Sequence, residues 1–168
     1  TDKNLGIGIF NAITEKTYAK VKNEITGDTR KELIEPMANY NVLVLDQRFG
    51  QNNSISLVNT NTMREGNYRD ANATGIYANI TNKANTWNFA GNLEGSWVME
   101  DKTKFGMEGN IGAAKISGAH RYQASMFFRT IDYNIDDLGY TGATNYMNYY
   151  VYYGYRLLKP KGFLNTMY

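Results

Sequence analysis

The chain has 168 residues, with 18 basic and 16 acidic side chains and a formal charge of +2, so no strong field marks it as a nucleic-acid binder. Cysteine is absent and histidine occurs once, as His120, which removes disulfide scaffolds, cysteine-based zinc sites and thiol nucleophiles. A mean hydropathy of −0.53 with no long apolar run excludes a transmembrane helix, and 14 tyrosines argue against disorder.

Period-two alternation runs through most of the chain, and no segment shows 3.6-residue periodicity. Leu5, Ile7 and Ile9 alternate with glycine and open the first strand. A long hairpin with its tip at Thr26–Thr29 follows. Tyr40–Phe49 and Ile55–Met63 are strands whose facing stays open, because Val42, Leu43, Val44 and Leu45 are all apolar. Arg69–Thr81 is the least regular strand. In Thr86–Val98 the odd positions Trp87, Phe89, Gly91, Leu93, Gly95 and Trp97 oppose Asn88, Asn92 and Glu94. Phe105–Ala113, Tyr122–Arg129 and Tyr146–Leu158 repeat that pattern. Short turns near Gly50–Asn53, Asn82–Asn85, Ser117–Gly118 and Lys159–Gly162 alternate with the hairpin tip, Arg64–Arg69, Glu100–Thr103 and the long stretch Ile131–Asn145. Phe163–Tyr168 then begins another element. The expectation is about eight strands plus the start of a ninth, forming a single segment, 1–168, of a longer polypeptide.

The strand lengths point to a membrane. The two indoles of the Thr86–Val98 strand lie ten positions apart, about 33 Å at roughly 3.3 Å per residue. Tilted by about 45°, that rise is roughly 23 Å, close to the ~25 Å apolar band of an outer-membrane barrel. The fold class read from the sequence is therefore all-β, an antiparallel up-and-down meander forming part of a transmembrane outer-membrane β-barrel. Trp87, Trp97, Phe105, Tyr122, Phe128, Tyr149 and Tyr155 are its expected interface girdle. Glu94, Glu108, Arg121, Arg129 and Arg156 are its expected lumen charge network, facing inward with Asn88, Asn92, Asn110 and Gln123. The alternative is a soluble β-sandwich that uses the tyrosines to bind carbohydrate, since a sheet with one wet face also alternates.

No catalytic constellation is visible. His120 lacks a serine two positions away on its own strand face, as an outer-membrane lipase arrangement would require, and reads as a rim residue beside a tight turn. Glu94 and Glu108 fall at similar distances from the 100–103 connection, which suits either a glycosidase pair or the lumen network, and the network is favoured. Asp132, Asp136 and Asp137 lack the ligand ladder of a calcium loop and read as a solvated acidic loop. No metal, cofactor or catalytic residue is expected. The expected partners are the lipid bilayer, glycans, and the remainder of the barrel or a partner chain at two open edges.

Three segments carry a family resemblance: NYNVLVLDQRF with QNNSISLVNTN (39–49 and 51–61), REGNYRDANA (64–73), and DDLGY (136–140) followed by 145–162 ending in LLKPKG. Together they resemble the carboxy-terminal barrel, a domain of unknown function, of large bacterial outer-membrane proteins whose amino-terminal part is similar to a family 9 carbohydrate-binding module. The resemblance implies an outer-membrane location in a Gram-negative cell and a link to carbohydrate uptake or processing through that missing module. A membrane-associated hydrolase, as some members are labelled, would need its catalytic site outside these residues.

Overall fold

The computed structural model describes residues 4–157, and every regular element among them is a β-strand. The ten strands are β1 (Leu5–Thr14), β2 (Thr17–Lys22), β3 (Thr29–Glu35), β4 (Ala38–Phe49), β5 (Asn53–Arg64), β6 (Asp70–Thr81), β7 (Trp87–Met99), β8 (Lys104–Lys115), β9 (His120–Arg129) and β10 (Tyr146–Tyr155). Eight of them build one sheet in the order β1-β4-β5-β6-β7-β8-β9-β10, every neighbour antiparallel. The all-β meander is thus as expected. The sheet is not closed: among the described residues β1 and β10 are its two open edges and do not pair with each other. Leu158, the 159–162 turn and the expected ninth strand lie outside the described residues.

The long hairpin contains four strands rather than two. Its base is β1 with β4, and its outer part is β2 with β3 in a separate two-stranded ladder. The break falls at Glu15–Lys16 on one arm and Pro36–Met37 on the other. Proline offers no N–H, so the ladder cannot run on through Pro36. Gly27 closes the tip with a positive φ of 76°, a conformation that disfavours any side chain. At the hairpin's base Lys16 reaches Glu65 at 2.8 Å, and that hydrogen bond and charge hold the Lys16 amine above its ordinary value.

Register decides which side chains share a face, because residues directly opposite in an antiparallel pair point the same way. The row Ile7, Leu45, Leu57, Ile76, Leu93, Gly109, Phe128, Met147 crosses all eight strands on one face. One residue along, the row Gly8, Val44, Val58, Gly75, Glu94, Glu108, Arg129, Tyr146 crosses on the other. This settles β4: Leu43 and Leu45 belong to the first face, Val42 and Val44 to the second. Of the Asp, Glu, Lys and Arg residues in these eight strands, only Asp70 and Lys115 lie on the first face, and each sits at a strand end. Asp46, Arg48, Arg64, Glu94, Lys104, Glu108, Arg121 and Arg129 all lie on the second.

Among the described residues nothing covers the apolar face. Ile9 and Val151 are 81% and 80% exposed, at opposite edges of the sheet, and Ile111 in the middle is 65% exposed. Its upper end carries amides that satisfy one another: Asn11 donates to Asn41 at 2.8 Å, and Asn59 donates to Asn72 and Thr74. Glycines on this face lie beneath aromatics, Gly95 under Trp97 and Phe105, Gly109 under Phe128. The expected girdle residues all share this face. Trp97, Phe105, Phe128 and Tyr149 sit toward the long-loop end, and Trp87, Tyr122 and Tyr155 toward the short-turn end.

A side chain at Gly109 would run into the Phe128 ring and crowd Leu93. Gly109→Val is therefore expected to destabilise the sheet by about 1–3 kcal/mol, measured as a lower urea midpoint with an unchanged slope.

Candidate functional site

The polar face has two halves. At the long-loop end its residues are small: Ala71, Ala73, Ser96 and Gly106 lie on adjacent strands β6, β7 and β8. The β9–β10 connection, residues 130–145, folds back onto this shelf. Tyr133 is 2% exposed, and Ala71, Val98 and Ser96 are buried with it. The approach is close enough that a methyl group on Gly106 would collide with the backbone of Asp132 and Tyr133. Tyr133, Ala71 and Val98, with Ala38 and Pro36 nearer the hairpin, are the buried apolar side chains among the described residues, so the nearest thing to a core lies between loop and sheet.

Charged and polar contacts hold the loop at three points. Tyr133 donates its hydroxyl to Glu94 Oε2 at 2.8 Å, while the Asn134 amide donates to Ser96 Oγ at 3.0 Å. Arg129 pairs with Glu108, donates to the Ala143 carbonyl at 2.9 Å, and lies 5.3 Å from the Tyr133 ring centre and 5.9 Å from that of Tyr146. Farther across the sheet, Asp137 accepts from Arg64 Nη1 and Arg69 Nε, each at 2.8 Å, and Arg69 also donates to Asn134. Asp137 keeps only 8% of its side-chain exposure. The expected solvated acidic loop is thus corrected at this residue, because two guanidinium groups replace the water it would otherwise need. Asp136 accepts from the Thr141 amide at 2.7 Å and shapes the loop's own turn.

The expected charge network is brought together only in part. Glu94 and Glu108 are direct cross-strand partners, a like-charge arrangement that destabilises when left uncompensated. Here Glu108 has Arg129, and Glu94 accepts from Tyr133 and from Asn92 Nδ2 at 2.9 Å. Each carboxylate is thereby tied to a structural donor, which suits an anchor better than an acid–base pair. Arg121 lies eight residues from Arg129 on β9, opposite Gly154, roughly 26 Å away along the strand. Arg156 follows β10 at that same end, its amide donating to Ala119 O. Neither reaches the glutamates. Sequence reasoning missed Arg64, Arg69, Tyr133 and Gly106; the signal available was a shelf of small residues beside the longest loop.

The other half of the polar face is open. A cavity of about 370 Å³ there is lined by Tyr77, Asn79, Asn88, Asn92, Asn110 and Gln123. Amides on this wall can donate and accept toward a polar solute, and none carries charge. His120 lies on the opposite, apolar face at the short-turn end, with Nδ1 3.0 Å from the Tyr153 hydroxyl and its ring beside Tyr155. Among the described residues no three His, Asp or Glu side chains converge as a metal site would require.

The Tyr133 phenol is pushed up, first by burial, then by its hydrogen bond to Glu94 and the charge of that carboxylate. A raised phenol holds its full contribution below the unfolded value of about 10 and loses it only as pH rises through the higher folded value. Protease cleavage within 131–145 should therefore stay constant from pH 7 to about 10. Gly106→Val, which denies the loop its seat, should instead raise cleavage at least several-fold at pH 7, and Asp137→Ala should do the same by leaving Arg64 and Arg69 facing an empty site.

A protein-family model described as a domain of unknown function, DUF5916, matches residues 1–168. No curated protein and no solved structure matches the chain.

Proposed function

This chain belongs to the DUF5916 family, and on that premise we propose that it is part of a bacterial outer-membrane β-barrel, a membrane-embedded scaffold or conduit without chemistry of its own. The observation that carries the reading is the division of the sheet into two faces. One is apolar across eight strands, uncovered, and free of Asp, Glu, Lys and Arg except at two strand ends. Exposed apolar surface on that scale marks a membrane or protein contact. The other face is wet, amide-lined and charged, as the inside of a barrel is.

Strand length supports the same reading. The eight strands run 10–13 residues, against about 9–11 for a strand crossing a bilayer at a 45° tilt. A soluble sandwich would need a second sheet to cover the apolar face, and among the described residues the only other ladder is the short β2–β3 pair. In a bilayer the edges β1 and β10 must find partners, since unpaired backbone groups are not tolerated there. The rest of the parent chain, or a partner chain, supplies them. Residues 131–145 then fold inward from the barrel wall and narrow the passage beside the amide-lined cavity. Carbohydrate enters through the family: an amino-terminal module similar to a family 9 carbohydrate-binding module would present glycans to this barrel.

The decisive comparison is between neighbouring residues at the middle of β7. Leu93→Arg on the apolar face should cost about 2–4 kcal/mol of stability in lipid, whereas Asn92→Arg on the wet face should cost far less. The parent protein should also fractionate with outer membranes and show a heat-dependent shift in gel mobility. Equal tolerance of the two arginines, with the protein soluble without detergent, would overturn the barrel. If the barrel conducts, Gly106→Val should raise single-channel conductance in planar bilayers by releasing the inward loop.

A further inference from the structure

The apolar face is not uniform. Across β6 to β10 it holds an open trough of about 900 Å³, within the roughly 300–1,000 Å³ of ordinary ligand pockets. Ile80 and Phe89 wall one side, Met126 and Tyr149 the other, and Ala113 and Ala124 lie between them. A flat lipid-facing wall has no need of such a depression; it arises because small residues on three central strands are flanked by large ones on either side.

The trough runs toward the short-turn end, and there the chemistry changes in one step. Lys115 is two residues beyond Ala113 on the same face of β8, and it pairs directly with Tyr122 on β9. Its amine sits 5.6 Å from the centre of the Tyr122 ring. No other lysine or arginine of the eight strands lies on this face. His120 follows two residues from Tyr122, beside Tyr153 and Tyr155. Lys115 with Tyr122, and His120 beyond them beside Tyr153 and Tyr155, therefore lie on the same face just past the short-turn end of the apolar trough.

We propose that this trough and its mouth are a binding site for one phospholipid, an acyl chain lying over Ala113 and Ala124 and the phosphate held at Lys115 with His120 beside it. The inference rests on the barrel reading, which turns this face toward lipid. The occupant follows from charge: Lys115 is the one lysine or arginine that the eight described strands place on this face, and a cation at the end of an otherwise apolar trough matches an anionic head with an apolar tail, and matches neither a neutral acyl chain nor a soluble phosphate. A cation held near aromatic faces at the membrane surface is a suitable headgroup contact.

The test uses the full-length protein, purified from membranes in mild detergent, with dipalmitoyl phosphatidylglycerol as the probe and native mass spectrometry as the readout. Wild type should retain one lipid. Lys115→Gln should weaken retention about five-fold, the effect of one surface lysine on an anionic headgroup. Ala113→Phe, which fills the floor of the trough, should abolish it. Heat-dependent gel mobility must be unchanged in both variants, which keeps misfolding apart from lost binding. Wild-type retention in both variants, or equal competition by glycerol phosphate lacking acyl chains, would overturn the site. A wild-type barrel that shifts on heating yet retains no lipid would overturn the site and leave the barrel standing. A protein soluble without detergent would overturn the barrel, and the site with it.

Discussion

The unbroken antiparallel register from β1 to β10 is the constraint on which everything else here depends. Because each residue faces its direct partner, one row of alternating sequence becomes a wall eight strands wide, and a slip of one position would invert a whole strand. Leu93 meets Ile76 and Gly109, while Glu94 meets Gly75 and Glu108. A single-residue shift between β7 and β8 would place a glutamate among the apolar side chains. The separation of charge from the apolar rows goes with this register, and the aromatic-over-glycine contacts at Gly95 and Gly109 add a steric key to it.

The same segregation explains why the described residues form no ordinary interior. Soluble domains bury their large apolar side chains; here Ile9, Ile111, Tyr149 and Val151 are among the most exposed residues. What burial exists is made by a loop, with Tyr133 wedged over Gly106 and its hydroxyl on Glu94. The polar face thus has a dual task. It carries the charges that the opposite face excludes, and it uses two glutamates and three arginines to seat the one long connection. That seat leaves the amide-lined half of the face clear.

The lysine at the end of the trough belongs to the same logic. Where a strand ends, a charge can leave the apolar zone, and Asp70 and Lys115 stand on the apolar face only at their strand termini. Asp70 is engaged by the Arg64 amide at 2.6 Å. Lys115 instead leans on an aromatic ring beside an apolar depression, which leaves its charge directed at whatever lies against that face.

Much of this was legible in the residues themselves. Alternation in 86–98 and 146–157 assigned faces correctly, the loop positions followed from polar and glycine-containing breaks, and similar offsets from the 100–103 turn brought Glu94 near Glu108. Those offsets are only similar in the sequence and imply nearness, and the register makes the two glutamates direct partners. Such readings succeed because period-two patterning and short connections are local properties of the chain. Only the tertiary structure decided that Arg121 and Arg156 stand at the far end from the glutamates, that Pro36 splits the hairpin, and that Asp137 is clasped by Arg64 and Arg69. A contact between residues 69 and 137 depends on how a loop crosses three strands, and it leaves no periodic trace in the sequence. Local alternation determined which residues could meet water; the path of the chain across the sheet determined which of them meet one another.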